Sequence, residues 1–399
     1  MSFKTAGESH GRGLVALLEG VPAGLNLQVD RDVDPELRRR QQGYGRGRRM
    51  QIESDRAEVI SGIRLGETMG SPLAMLIWNR DWENWQKAMG HERPDPDENP
   101  KAFRPMYLPR PGHADLVGIF KYDRRDTRDI LERASARETA ARVASGAVAK
   151  RILAEVGIRV ESHVLSIGHI QGEVPETLPE ELNAAADRSP VRTLDSQAGD
   201  AMMKAIDEAK EEGDTLGGVF EVVARGVPVG LGSHVSWDRK LDGRLGQAVL
   251  SIHAVKGVEI GPAFSSALNP GSKVHDAIIP APDRPRTGGV GRASNRAGGL
   301  EGGVTTGEPL RVRGAMKPIS TLRNPLASVD LRDGSVAKAA VERSDVCAVP
   351  AAAVIGEAMV ALVLADAFLE KFGGDSMTEI QRNFDSYLKY LEQRGFRAR

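Results

Sequence analysis

A chain of 399 residues, 40% hydrophobic and 27% charged, holds enough apolar material for a large core beneath an ordinary polar surface. Its 54 basic and 55 acidic side chains leave a formal net charge of -1, which excludes a global basic field for nucleic acid or an anionic membrane. One cysteine, Cys347, excludes a disulfide scaffold and suits a reducing, cytoplasmic setting, and the opening MSFKTAGESH has no apolar signal core.

The first polar feature is GESHGRG, residues 7–13. It sets Glu8, Ser9, His10 and Arg12 among Gly7, Gly11 and Gly13. That composition suits a surface turn, and equally a site that moves protons beside an anion. Apolar runs at 14–21 (LVALLEGV) and 72–79 (PLAMLIWN) predict strands. Between them RRRQQGYGRGRRM gathers Arg38, Arg39, Arg40, Arg46, Arg48 and Arg49 around three glycines. Glycines let backbone amides approach an anion, and guanidinium forks match phosphate or carboxylate oxygens. A solvated basic loop or an RNA contact would have the same composition. The acidic, proline-containing stretch 90–105 predicts a long exposed loop. RPGHAD then adds Arg110 and His113.

Residues 126–157 read as one long helix, capped at Asp126 or Thr127 and ended by Gly157. On it Arg133 and Arg137, four apart, would share a face, with Ala134, Ser135 and Ala136 small between them. Strands are predicted within 158–168, 215–231 and 307–316. The stretch 288–310 is the richest in glycine and reads as a loop that wraps a ligand with backbone groups. It is neither a P-loop nor a dinucleotide fingerprint. MKPIST brings Lys317, Ser320 and Thr321. RSDVCAVPAA places Arg343 and Asp345 before a second long helix, with Pro350 near its start and the partial positive charge of its N-terminus nearby. That helix carries Glu357 and Asp366, so it reads as buried rather than membrane-spanning.

Two passages repeat. EGVPAGL at 19–25 returns as RGVPVGL at 225–231, and GETMGSPL at 66–73 returns within GGVTTGEPL at 302–310. The order and separation imply two related halves, roughly 1–160 and 215–375. Strands grouped by turns, with helices between, predict an α+β sandwich with antiparallel sheets.

Metal binding is not expected: the eight histidines show no H-x-x-H or H-E-x-x-H spacing. No G-x-S-x-G elbow marks a nucleophile. His163, His169, His234 and His275 read as structural or surface residues, and Asp115 and Glu138 as partners for arginines. The residues themselves therefore point to a multiply anionic small molecule, held by arginines and glycine loops, with one or two histidines as acid or base.

Seven motifs together, GESHGRG, RRRQQGYGRGRRM, RPGHAD, RASARETAARVASGAVAK, NRAGGLEGG, MKPIST and RSDVCAVPAA, resemble those of the chorismate synthases, in order from residue 3 to about 385. The resemblance implies a single β-α-β sandwich domain over 1–399, usually a homotetramer. It implies the last shikimate-pathway step, elimination of phosphate and the C6 hydrogen from 5-enolpyruvylshikimate 3-phosphate with anti geometry. Reduced FMN would be required without net redox change. No reductase domain is visible, so an external reductant, with NADPH as an indirect source, is expected. By the same resemblance His10 protonates the leaving phosphate, and His113 protonates or hydrogen-bonds the flavin. Asp345 with Ser9 relays a proton from flavin N5. Arg40, Arg46, Arg49, Arg110 and Arg137 bind substrate. Flavin contacts come from Arg133, Ala134, Ser135, His253, Ala254, Gly302, Lys317, Pro318, Ile319, Ser320, Thr321 and Arg343. An arginine/glycine RNA-binding protein explains GYGRGRR but neither the histidine motifs nor the charge of -1. An unrelated phosphotransferase lacks its P-loop and metal carboxylates.

Overall fold

The computed structural model of the protein describes residues 1–47, 54–93, 95, 97, 99–284, 287–342 and 344–394. Strands β1 (Ser2–Ala6) and β2 (Gly13–Glu19) pair antiparallel across the turn at 7–12. Helix α1 (Asp34–Gln41) follows. Pro35 and two acids open it and Arg38, Arg39 and Arg40 close it, which complements the helix dipole. The arginines expected in a glycine loop thus begin on a helix. β3 (Glu58–Ser61), the small hairpin β4 (Ile63–Arg64) and β5 (Glu67–Thr68), and β6 (Leu73–Trp78) come next. The first sheet has the order β1-β2-β6-β3. Leu14, Ala16 and Leu18 on β2, and Leu73, Met75 and Ile77 on β6, are fully buried. This period of two turns one face of the sheet to the core.

Helices α2 (Asp115–Tyr122), α3 (Arg128–Ala134) and α4 (Thr139–Glu155) follow. The single helix expected over 126–157 is therefore broken. Ser135 is extended (φ -70°, ψ 140°), its hydroxyl accepts the Arg137 N–H, and a 3-10 turn covers Ala136–Glu138. A serine that bonds a nearby amide favours a cap over a helix interior. Arg133 and Arg137 consequently do not share a helix face.

Next in the chain come β7 (Arg159–Ile167), β8 (Ile170–Gln171), α5 (Ser196–Glu212), β9 (Gly218–Arg225), α6 (Leu241–Leu250) and β10 (Val255–Ile260). Two ribbons, β11 (Ile278–Pro280) with β12 (Val290–Arg292) and β13 (Leu300–Glu301) with β14 (Val304–Thr305), precede β15 (Leu310–Met316). A third ribbon, β16 (Ala327–Val329) with β17 (Val336–Lys338), leads to α7 (Val349–Phe372) and α8 (Met377–Arg394). The second sheet has the order β10-β15-β9-β7-β8, its pairs antiparallel.

The layers follow from the buried faces. α4 packs on β2 and β6, α7 packs on β7 and β9, and the two helices pack on each other. They cross where Gly146 meets Ala358: a Cβ on Gly146 would lie 2.3 Å from the Ala358 Cβ. Gly356 makes the matching approach to Phe220. By length and composition α7 could cross a membrane, but it is buried in this core, as its charged residues suggested. Its Glu357 is fully buried and accepts from Arg39 twice at 2.9 Å and from Lys150 at 2.7 Å.

Within the glycine stretch 288–310 and just after it, some amides close turns: Thr305 N–H bonds the Leu231 carbonyl (2.9 Å), Thr306 bonds Gly299 (3.0 Å) and Arg311 bonds Gly298 (3.0 Å). The repeated passages adopt matching turns. The Thr68 hydroxyl donates to the Pro22 carbonyl at 2.6 Å and accepts the Leu25 N–H at 2.9 Å. The Thr305 hydroxyl donates to Pro228 at 2.7 Å and accepts from Leu231 at 2.8 Å.

Candidate active site

The site is built where the two central helices begin. Arg40, at the end of α1, reaches the first residue of α4: its Nη1 donates to Thr139 Oγ1 at 3.3 Å. Three residues on, Gly43 lies against Pro350 near the start of α7. One carboxylate, Asp55, takes Arg40 Nη2 at 2.8 Å and Arg137 Nη1 at 2.6 Å. All three groups are buried. Burial, with Arg137 and Arg46 nearby, pulls Arg40 down to about 10 despite Asp55. Two cations on one anion leave a surplus of positive charge. Arg46 faces Asp345 at 3.3 Å, and Asp345 also accepts the Gly47 N–H at 2.6 Å.

Asn79 ties this cluster to the opening turn. Its Oδ1 accepts from Arg137 Nε (2.8 Å), and its Nδ2 donates to the Glu8 and Gly11 carbonyls (3.1 and 2.7 Å). Gly7 holds φ +99°, and a Cβ there would meet the Gly13 carbonyl oxygen at 2.2 Å. Only glycine closes that turn. Arg133 donates to the Gly7 and Thr5 carbonyls at 3.0 and 2.9 Å. Ser9 is buried, and its N–H bonds the Glu132 carbonyl at 2.9 Å. His10 sets Nδ1 3.0 Å from both Glu132 carboxylate oxygens and stacks on Trp85, with 3.9 Å between ring centroids.

The second imidazole is held in the same manner. His113 Nδ1 lies 2.5 Å from Asp115 Oδ1, and Arg110 bonds Asp115 through its backbone N–H, Nε and Nη2. Burial pushes Asp115 up, but the His113 and Arg110 bonds hold it well below the usual carboxylate range. Arg110 Nη1 also donates to Thr321 Oγ1 at 2.9 Å, and Lys317 Nζ to the Gly112 carbonyl at 2.7 Å. The Lys317 N–H bonds the Ala254 carbonyl at 2.9 Å, and the Ile319 carbonyl accepts from Thr215 Oγ1 at 2.7 Å. So the 317–321 run, with Pro318 and Ser320, packs beside RPGHAD. His253 joins the clusters: burial pulls its imidazole down to about 4, with Arg142, His113 and Arg133 adding to the effect and Glu138 opposing it. Its Nδ1 is buried without a hydrogen-bond partner, as is Arg40 Nε.

The chain therefore brings together Ser9, His10, Arg40, Arg46, Arg110, His113, Arg133, Ala134, Ser135, Arg137, His253, Ala254, the 317–321 run and Asp345. It does not bring Gly302. Gly303 accepts the N–H of Leu241 at the start of α6, whereas His253 follows the end of α6. The 10 residues of α6 rise about 15 Å. Arg49 and Arg343 lie outside the described residues. Asp55, Asn79, Trp85 and Glu132 were not anticipated. Of these only Glu132 left a local signal, four residues after Arg128 on one helix face.

Comparison with known proteins identifies the family. A family model described as chorismate synthase matches residues 1–369. Chorismate synthase 1 of Bacillus cereus is 53% identical over 397 residues, covering 99% of this chain and 100% of that protein. Chorismate synthase of Moorella thermoacetica is 56% identical over 393 residues, covering 98% and 100%. A crystal structure of chorismate synthase superposes with a TM-score of 0.76 at 44% identity, over 98% of each chain. At such identity and coverage, this chain belongs to the chorismate synthase family.

Proposed function

We propose that the chain performs the 1,4-elimination of phosphate and the C6 hydrogen from 5-enolpyruvylshikimate 3-phosphate, with anti geometry, to give chorismate. The carrying observation is the pair of carboxylate-held imidazoles, His10 and His113, set among arginines at the start of both central helices. The substrate brings a phosphate and two carboxylates, and Arg40, Arg46, Arg110 and Arg137 offer the matching charge-assisted bonds. Arg49 joins them by motif. His10, committed at Nδ1 to Glu132, would give its Nε2 proton to the departing phosphate. Asp345 with Ser9 would relay a proton away from the cofactor, balancing the one given to phosphate.

The residues fit reduced FMN. His253 Nδ1 is an orphaned polar atom in the cluster, and Lys317 and Arg133 bring positive charge to it. Arg133, Ala134, Ser135, His253, Ala254, Lys317, Pro318, Ile319, Ser320, Thr321 and Arg343 would hold the cofactor, and His113 would hydrogen-bond it. When bound, reduced FMN supplies electron density that helps phosphate leave, with no net redox change. An external reductant, fed indirectly by NADPH, would keep it reduced in the cytoplasm. We propose a homotetramer, in which Gly302 reaches the cofactor only from a neighbouring copy.

We also propose one domain made of two pseudo-repeated halves. The support is register: Leu18 pairs with Leu73 on β2 and β6, and their counterparts Ala224 and Leu310 pair on β9 and β15. β7 takes the place of β1 in that scheme, which carries the second half back from residue 215 to 159.

The test is anaerobic turnover with chemically reduced FMN, reading phosphate and chorismate together. Stoichiometric release of both is expected. No turnover, with no substrate-dependent FMN binding, overturns the reading.

A further inference from the structure

We infer that Glu132 is the positioning residue for His10: its buried carboxylate fixes the imidazole through Nδ1, so that proton exchange with a bound molecule runs through Nε2. The inference rests on the reading of His10 as the acid.

The geometry is over-determined. Glu132 is 2% exposed. A bare carboxylate at that depth is costly, and this one is satisfied from three directions. It accepts the His10 backbone N–H at 2.9 Å, lies 3.0 Å from His10 Nδ1 by either oxygen, and takes Arg128 Nη1 at 2.7 Å. Both the backbone and the ring of one residue therefore answer to one carboxylate. Trp85 fixes the remaining freedom by stacking on the imidazole, the planes 26° apart. Among the described residues, the charged groups around this assembly include Arg128 on α3, Arg104 over the Trp85 ring at 4.2 Å, Glu342 at 3.6 Å from Arg128, and Glu8 in the same turn. Burial pushes Glu132 up, yet the His10 bonds and Arg128 bring it below its ordinary value. It is thus an anion facing the imidazole near neutral pH. An orienting carboxylate selects the ring nitrogen that carries the exchangeable proton and favours the charged ring.

Glu132→Gln separates this role from packing. Gln has one acceptor oxygen, and both Arg128 and the His10 backbone N–H require it. Its NH2 then faces Nδ1, which must become an acceptor. In histidine-15N-labelled protein, with His10 assigned by its loss in His10→Asn, the neutral-ring proton should move from Nδ1 to Nε2. The basic limb of the kcat–pH profile should shift down by about one unit or more, since a neighbouring opposite charge is worth roughly 1–3 units. At neutral pH kcat should fall about 10- to 100-fold with KM little changed. Glu132→Asp, which keeps the charge but withdraws it by one methylene, should retain the limb and recover part of kcat. If Glu132→Gln does not fold, Glu132→Asp carries the test, and unmoved His10 ring signals in it overturn the inference. For a folded Glu132→Gln, an unchanged tautomer or an unchanged limb overturns it. Wild-type turnover by His10→Asn instead defeats the reading of His10, while the nitrogen shifts still report the Glu132–His10 bond in the resting protein.

Discussion

At the scale of single residues, the site depends on buried carboxylates that hold its cations in place. Asp55 is the clearest. It holds Arg40 and Arg137 in a buried cluster, and removing one partner of a buried ion group strands the others. Asp55→Asn should cost roughly 3–5 kcal/mol of stability. It should also weaken 5-enolpyruvylshikimate 3-phosphate binding by calorimetry, because the two guanidiniums repel without their anion. A melting temperature within a degree of wild type would show the pair to be held by other means. Asp345 is different. α7 begins at Val349 with Ala348 as its cap residue, so Asp345 does not cap it; it secures Gly47 and faces Arg46. Asp345→Asn keeps an oxygen for the Gly47 N–H and should melt nearly as wild type. If the proposed relay holds, anaerobic single turnover should slow by about 10²–10⁴-fold. An intact rate would leave Asp345 as a tie for the loop. The motifs named the arginines and histidines because those types are conspicuous. Asp55, Asn79 and Trp85 were illegible because their partners lie tens of residues away in the chain and come near only through the fold.

At the scale of elements, the sheet strands β2, β6, β7, β9 and β15 were legible, whereas β1, β3, β8, β10 and several helices were not. β2 and β6 alternate buried and half-buried positions cleanly, so period two was readable. α1 reads DPELRRRQ, with Leu37 as its one aliphatic core side chain, and it forms because Leu37 and Arg40 find burial on the central helices. No local period announces that. The break at Ser135 was hidden for the converse reason: alanine-rich flanks suit a helix, and a single side-chain bond to Arg137 decided otherwise. The repeated turns allow a sharper test. Thr68 and Thr305 each satisfy two buried backbone groups. Valine keeps the shape and leaves both groups unpaired, at roughly 1–3 kcal/mol for each group. The two should cost nearly the same by urea unfolding, and the double variant should be additive, as expected of separate sites. Costs differing by more than about 1.4 kcal/mol, a factor of 10 in the unfolding equilibrium, would show that the halves no longer use the turn alike.

At the scale of the whole molecule, the site draws on residues from Ser9 to Asp345, and its ionisable groups tie folding to pH. His253 titrates near 6.5 in an unfolded chain and near 4 in the fold, chiefly through burial. Above pH 6.5 both states hold a neutral ring and the residue has no effect. Between 6.5 and about 4 the unfolded chain takes up a proton that the folded chain refuses, so stability falls as pH falls. At about 1.4 kcal/mol per unit, the full window is worth roughly 3 kcal/mol. Glu221 acts in a lower window. Burial pushes it up, but His163 and Arg311 bring it from 4.5 to about 2, so its contribution is present above 4.5 and is lost as pH falls toward 2. The two windows barely overlap, which makes the first separable. His253→Gln keeps a polar side chain that cannot ionise. Urea unfolding at pH 7.5 and pH 4.5 should show wild type losing more stability than the variant over that interval, by about 2.5 kcal/mol, since most of the His253 window lies inside it. The remaining ionisable groups are common to both proteins, so the difference isolates His253. An equal loss in the two would mean that His253 accepts its proton in the folded state, and that the buried ring nitrogen is open to water or to a carboxylate after all.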